Sequence, residues 1–366
     1  MSSDRNVAVK KDSKMSQLFQ PLKIRDVEFR NRVFVSPMCQ YSSDEGVPTD
    51  WHLVHLGSRA VGGAACVIVE ATGVSPEGRI SPWDSGLWSQ QQARAFVRIN
   101  RFIKDQGSVP AVQLAHAGRK ASTAQPWNGG GAVPVGSGGW KPLGPSAIAF
   151  DEHSPVPREM SIGDIDAVVE QFIASARLSA DAGFEVIELH MAHGYLLHEF
   201  LSPLANHRTD QYGGSLENRM RLPLRIASAV REVWPAGLPL FVRISATDWA
   251  EGGWDLPQSV LLAKKMKEIG IDLIDCSSGG QVPHAKIPLG PGYQVPFAEA
   301  IRRETGIATG AVGMITEAHQ AEKIITSGQA DVVLLARELL RDPYWPLHAA
   351  KELGAKIEWP KQYGRA

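Results

Sequence analysis

Phe184-Glu-Val-Ile-Glu-Leu-His-Met-Ala-His-Gly-Tyr195 is the stretch from which the fold of this chain is read. Its first half, Phe184 to Leu189, reads as a short buried strand. Its second half puts two imidazoles and a phenol where the strand gives way to a loop, and Gly194 lets the backbone turn between them. Groups placed there suit holding a small electrophile and delivering a proton to it. An isolated His-x-x-His is often no more than a pair of core histidines, so the surrounding sequence has to decide.

Outward from this strand, short apolar runs alternate with longer helical patterns. Strands are expected at Arg32–Ser36, Ala65–Ala71, Val109–Leu114, Glu185–His190, Leu240–Ser245, Leu273–Ser277, Thr309–Val312 and Val332–Ala336. Helix-period segments lie near 50–62, 89–106, 164–182, 215–233, 257–269, 296–304 and 316–327, with a last one at Asp342–Leu353. Eight strands, each followed by a helix, predict a single-domain (β/α)8 TIM barrel. A doubly wound sheet is the rival, and the lack of a glycine-rich dinucleotide turn favours the barrel. Ser161 and Asp164 read as a helix cap, Thr316-Glu317 as a helix start, and Gly183, Gly270 and Gly328 as helix ends. Residues 117–160, with Gly129-Gly-Gly131, Trp127 and Trp140, break the rhythm as a long loop after the third strand, and loops of that length are often lids or binding loops.

Composition narrows the classes. The chain has 366 residues, 43% of them hydrophobic, and a formal net charge of -1. That is enough for a sizeable core and gives no global field for nucleic acid or an anionic membrane. Its three cysteines, Cys39, Cys66 and Cys276, are a poor disulfide framework and fit a reducing, cytoplasmic setting. No apolar run is long enough for a membrane span. Residues 1–16, which include Lys10, Lys11 and Lys14, are expected to be a disordered leader without signal-peptide character, and residues 17–366 to be the barrel domain.

In a barrel, chemistry gathers at the C-terminal ends of the strands. Gly310, Gly313 and Arg337, after strands seven and eight, suit a phosphate cradle. Gln113 offers a donor and an acceptor to a heterocycle with an amide edge. Arg243 requires an anion, or a barrel carboxylate such as Glu70 or Glu188. Reduced flavin mononucleotide would meet all three demands. Metal binding is disfavoured, because His190 and His193 have no evident third ligand. Cys39 has no adjacent histidine to activate it and reads as a cofactor contact or a small buried hydrophobe.

Several longer motifs occur in order: Ser36-Pro-Met-Cys-Gln-Tyr41, Gln113-Leu-Ala-His-Ala-Gly-Arg-Lys120, His190-Met-Ala-His-Gly-Tyr-Leu196-Leu197, Asn206-His-Arg-Thr-Asp-Gln-Tyr-Gly-Gly-Ser-Leu-Glu-Asn-Arg219 and Phe241-Val-Arg-Ile-Ser245. From about residue 17 to 365 the chain resembles the old yellow enzymes, in particular the thermophilic-type ene-reductases and xenobiotic reductases. The resemblance implies a flavoprotein that holds FMN, takes hydride from NADPH, with NADH as an alternative, and reduces activated alkenes. It further implies that Ser36, Pro37, Met38, Cys39, Ala71, Gln113, Arg243, Gly313, Ala336 and Arg337 contact the cofactor. Ala336 stands where glycine is frequent in the family. By the same resemblance His190 and His193 bind the substrate carbonyl, Tyr195 donates the proton and Tyr41 touches the substrate. Gln362-Tyr-Gly-Arg365 resembles the tail by which such proteins pair, so a homodimer or dimer of dimers is expected, with Arg365 reaching the neighbouring site. A flavin-free aldolase would need a Schiff-base lysine within a strand, and Lys120 and Lys286 lie after strand ends. Three scattered cysteines argue against an iron–sulfur flavoprotein.

Overall fold

The computed structural model describes residues 16–365. Eight parallel strands close into a barrel: β1 (Val33–Val35), β2 (Cys66–Gly73), β3 (Val109–Ala115), β4 (Val186–Met191), β5 (Leu240–Ser245), β6 (Leu273–Ser277), β7 (Ala308–Ala311) and β8 (Val332–Leu335). Consecutive strands are neighbours throughout, and β8 pairs with β1 to complete the ring. The closure excludes the doubly wound alternative. The principal outer helices are α1 (Asp50–Val61), α2 (Gln90–Asp105), α3 (Ile162–Asp181), α4 (Leu216–Val233), α5 (Leu256–Ile269), α6 (Val295–Thr305), α7 (Ala318–Thr326) and α8 (Trp345–Glu352).

Each strand alternates its side chains between the helix layer and the barrel interior. α3 shows the outer half of this arrangement. Ser161 caps it with Asp164 in a reciprocal box, and Ile165, Val168, Val169, Phe172 and Ala176 form its buried stripe. The lower interior is apolar, built from Phe34, Ile68, Ala111, Val186, Phe241 and Leu273. A hairpin of two short antiparallel strands, Leu22–Ile24 and Val27–Phe29, precedes the ring. Its Phe29 packs against Phe34 with ring centroids 4.8 Å apart and against Phe241 at 6.3 Å, adding to that apolar layer. Towards the strand C-terminal ends the interior turns polar, with Gln113, Glu188, His190, Arg243 and Asp275 all buried.

Three sequence expectations need correction. Most of the expected leader, residues 1–15, lies outside the described residues, but Ser16 belongs to the barrel. Ser16 is buried, and its Oγ donates to Glu322 Oε2 at 2.6 Å. The hairpin and the short helix Leu196–Leu201 escaped the pattern, because three-residue strands and single helical turns carry too few periods. Residues 117–160 hold 3-10 turns and a small parallel pair, Leu143–Gly144 with Arg158–Glu159. The last expected helix, Asp342–Leu353, is present as α8, and a further short helix, Arg337–Arg341, precedes it.

Candidate active site

β4 ends at Met191, and the chain turns at once through two residues of positive φ, His193 at 61° and Gly194 at 72°. A Cβ on Gly194 would lie 2.1 Å from Gly280 O, so only glycine fits. The turn swings His193 back over the strand end, its ring centroid 5.2 Å from that of His190. The Tyr195 ring lies 5.1 Å from His190 on the same mouth. Several hydrogen bonds hold the strained segment. His193 N donates to Ser245 Oγ at 2.9 Å, and Gly194 N donates to His198 Nδ1 at 2.9 Å. His198 Nε2 in turn lies 2.8 Å from Asp248 Oδ1, both side chains fully buried. Lys120 Nζ donates to His193 O at 2.8 Å and Gly280 O at 3.1 Å, tying the loops after β3, β4 and β6 together.

Burial, followed by the Arg243 charge, pushes the pKa of both His190 and His193 well below the usual histidine value, so both rings are neutral near pH 7. A neutral imidazole still donates one N–H. His190 Nδ1 is buried with no hydrogen-bond partner, and His193 Nε2 lies 2.7 Å from Ser277 Oγ. Burial also raises the Tyr195 phenol well above its ordinary value, which keeps it a proton-bearing group.

Below this mouth lies a polar floor. Gln113 Nε2 donates to Glu188 Oε1 at 2.8 Å. Arg243 Nη1 donates to Ser36 Oγ at 3.0 Å, and Arg243 Nε lies 3.1 Å from Asp275 Oδ2. The ion-pair partner of Arg243 is therefore Asp275 rather than the expected Glu70 or Glu188. The register explains it, since Asp275 sits beside Arg243 on the adjacent strand. Glu70 instead faces His52, 3.2 Å away. Ala71 is buried and in register with Gln113. Ser36 is buried while Pro37, Met38 and Cys39 are half-buried, in the segment that runs out of β1.

On the far side of the barrel mouth, a cavity of about 300 Å³ is lined by Ser277, Tyr293, Gln294, Gly313, Ala336 and Arg337. Gly313 has φ 119°, and a Cβ there would come within 2.9 Å of Gln294 Nε2. A second cavity of about 270 Å³, lined by Tyr195, Lys120, Phe150, Ser154 and Gly131 among others, puts part of the 117–160 loop against the Tyr195 phenol. Cys39 and Tyr41 pack with Tyr195 against Ala71, Ala115 and Ala121. Burial pushes the Cys39 thiol well up, which does not suit a thiolate nucleophile.

The structure thus brings the predicted residues together around one barrel mouth, except Arg365 and Gly310; Gly310 lies within β7 against Leu334, Val332 and Leu273 of the apolar interior rather than in the expected phosphate cradle. Arg365 is exposed near the chain end, where Tyr363 bonds Tyr344 at 3.1 Å between hydroxyls. Tyr344 packs beside Gly62 at the C-terminal end of α1, which feeds the start of β2. That is the end of the barrel opposite the histidines, so Arg365 does not serve its own chain's site. Ser277, Ser245, His198 and Asp275 were missed as site residues. For Ser245, Asp275 and Ser277 the signal was positional, since each lies in the C-terminal part of a strand; His198, in the helix Leu196–Leu201, carried none. Among the described residues no group of three His, Cys, Asp or Glu side chains is placed to hold a metal ion, and no helix is long and apolar enough to cross a membrane.

Comparison with known proteins agrees with this geometry. The family described as NADH:flavin oxidoreductase / NADH oxidase matches residues 17–356. An NADPH dehydrogenase of Geobacillus thermodenitrificans is 50% identical over 350 residues, which is 95% of this chain and 98% of that protein. Morphinone reductase superposes with a TM-score of 0.78 at 26% identity, covering 96% of this chain and 93% of that one. The old yellow enzyme homologue of Zymomonas mobilis superposes at 0.76 with 25% identity, covering 94% of each chain.

Proposed function

Because the chain belongs to the NADH:flavin oxidoreductase / NADH oxidase family and is an oxidoreductase of the old yellow enzyme type, we propose that it is an NADPH-dependent ene-reductase of the thermophilic-type subgroup. Its substrates on this reading are alkenes activated by a carbonyl or nitro group, such as enones, nitroalkenes and maleimides. Nitro compounds and nitrate esters are further acceptors, and NADH is an alternative donor.

The residues fit FMN. Arg337 and the Gly313 turn line a cavity suited to a phosphate. Gln113, with one amide hydrogen committed to Glu188, retains a donor and an acceptor for the amide edge of a ring system. Arg243 supplies a buried cation for a ring edge that becomes anionic. Ser36, Pro37, Met38, Cys39, Ala71 and Ala336 complete the proposed contacts. When bound, the flavin would accept hydride from NADPH and donate it to the alkene.

The chain's own groups do the rest. His190 and His193 donate hydrogen bonds to the substrate's carbonyl or nitro oxygen and draw charge away from the β-carbon. Their neutrality matters, since a charged pair would attract anions indiscriminately. Tyr195 gives its proton to the α-carbon, and Tyr41 packs against the substrate. Arg365 of one protomer reaches the site of its partner in a homodimer or a dimer of such dimers.

The observation that carries this reading is the close grouping of His190, His193 and Tyr195, with ring centroids 5.2 and 5.1 Å apart, over a floor holding Arg243 and Gln113. The purified protein should be yellow, bleached by NADPH without oxygen and recoloured by 2-cyclohexenone. A protein that neither carries nor takes up FMN contradicts it.

A further inference from the structure

The floor beneath the histidines contains a charge imbalance that the proposed reaction does not use. Glu188 and Asp275 are both buried with 0% exposure, and a single guanidinium, that of Arg243, serves them. Arg243 Nε approaches Asp275 Oδ2 at 3.1 Å. Glu188 has one neutral partner, the Gln113 amide at 2.8 Å on Oε1. Glu188 Oε2 and both Asp275 oxygens have no hydrogen-bond partner, and Asp275 Oδ2 makes only the ion-pair contact with Arg243. Two carboxylates against one cation would leave an uncompensated negative charge in a dry interior, at a cost of several kcal/mol.

One proton cancels the surplus charge, and Glu188 Oε2 can carry it without losing a hydrogen bond, because no donor engages that oxygen. Glu188 is the better host, because Asp275 already faces the guanidinium and an aspartate ionises more readily. The groups facing Glu188 do not offer another counter-charge. Cys66 on β2 is a buried neutral thiol, Gln113 on β3 is an amide, and His190 on its own strand is neutral. Arg243 on β5 and Asp275 on β6 complete the set.

We propose that Glu188 and Asp275 share one proton, carried on Glu188, and that this proton keeps the Arg243 charge available to an anionic ring edge bound above the floor. Glu188 is then a positioning residue that acts through Gln113 and Arg243. Burial, then the Asp275 charge, raises the Glu188 carboxyl to about 8, in the same direction. The sharing of the proton stands without any cofactor, whereas its use by a ring edge rests on the flavin reading above.

Infrared spectra of the wild type, Glu188→Gln and Asp275→Asn at neutral pH test the sharing. Subtraction removes other protonated carboxyls common to all three. The carbonyl band of one carboxylic acid should vanish in Glu188→Gln. It should vanish equally in Asp275→Asn, because Glu188 alone would then ionise against Arg243. Survival of the band in Glu188→Gln overturns the assignment to Glu188. Survival in Asp275→Asn overturns the sharing, and this comparison with wild type, with glutamate 13C-labelled to identify the band, stands by itself if Glu188→Gln does not fold. Affinity for reduced FMN should fall several-fold above about pH 8 in wild type and stay level in Glu188→Gln; a level wild-type profile overturns the role given to the proton. A protein that takes no FMN sinks the flavin reading and leaves the infrared result to decide the sharing.

Discussion

Ser277 Oγ lies 2.7 Å from His193 Nε2, a hydrogen bond whose direction sets which imidazole nitrogen bears the proton. Gln294 Oε1 already accepts the Ser278 hydroxyl at 2.6 Å, and Ser277 is 3.4 Å from that oxygen. A Ser277 hydroxyl that donates over this shorter contact, rather than over the 3.4 Å contact to Gln294, leaves the His193 proton on Nδ1, available to a substrate oxygen, and the tautomer is assigned on that basis. Ser277→Ala removes this selection. Loss of one such hydrogen bond costs about 1 kcal/mol, or roughly fivefold in kcat/KM for an enone. Stopped-flow traces should show flavin reduction by NADPH unchanged, and an unaltered enone rate would contradict the tautomer assignment.

Gly194→Ala should be far more damaging than a surface Gly→Ala. The positive φ of 72° and the 2.1 Å approach to Gly280 O both oppose a side chain there. The cost is on the order of 1–3 kcal/mol from backbone strain, with the steric clash added. Thermal denaturation should show a lower Tm, and activity should fall because Tyr195 follows directly in the chain.

Arg337→Ala separates the phosphate from the ring. Hydrogen bonds to a charged group are worth about 1.5–3 kcal/mol, so FMN affinity should drop roughly tenfold to a hundredfold. Riboflavin, which lacks the phosphate, should bind both proteins alike. Fluorescence titration with the two flavins reads this directly, and an equal loss for both would place the phosphate elsewhere.

Glu199 gives a pH signature. It is fully buried, and burial raises its carboxyl to about 8 despite the Arg119 backbone N–H at 2.8 Å and the nearby Arg119 charge. The same group in the unfolded chain titrates near 4.3. Its contribution to stability is thus full below about pH 4.3 and is lost as pH rises through the folded value. The stability difference between wild type and Glu199→Gln should shrink by roughly 1.4 kcal/mol per pH unit between pH 5 and 8. Urea melts across that range measure it, and a pH-independent difference would show that Glu199 is ionised throughout. Because His190 and His193 are held neutral, the enone rate should also lack an acid limb near pH 6.5.

The barrel was legible because its strands are strongly apolar and evenly spaced. Leu240–Ser245 and Leu273–Ser277 match the expected bounds residue for residue. The mouth was legible because His190, His193 and Tyr195 follow one strand without a gap. The floor was not. Whether Asp275 points inward depends on the closed ring and its register, and alternation in a five-residue strand shows only that one face differs from the other. The registered order of consecutive strands would have pointed to it, since Asp275 stands level with Arg243 on the next strand. The supports of the His193 turn, Ser245, His198 and Lys120, come from separate segments and meet only in three dimensions.

Rapid-mixing kinetics of Tyr195→Phe test most directly whether Tyr195 is the proton donor beside the paired histidines. The two half-reactions should separate: flavin reduction by NADPH at the wild-type rate, and reoxidation by 2-cyclohexenone slowed at least tenfold. Reoxidation at the wild-type rate, or loss of flavin reduction instead, would contradict it.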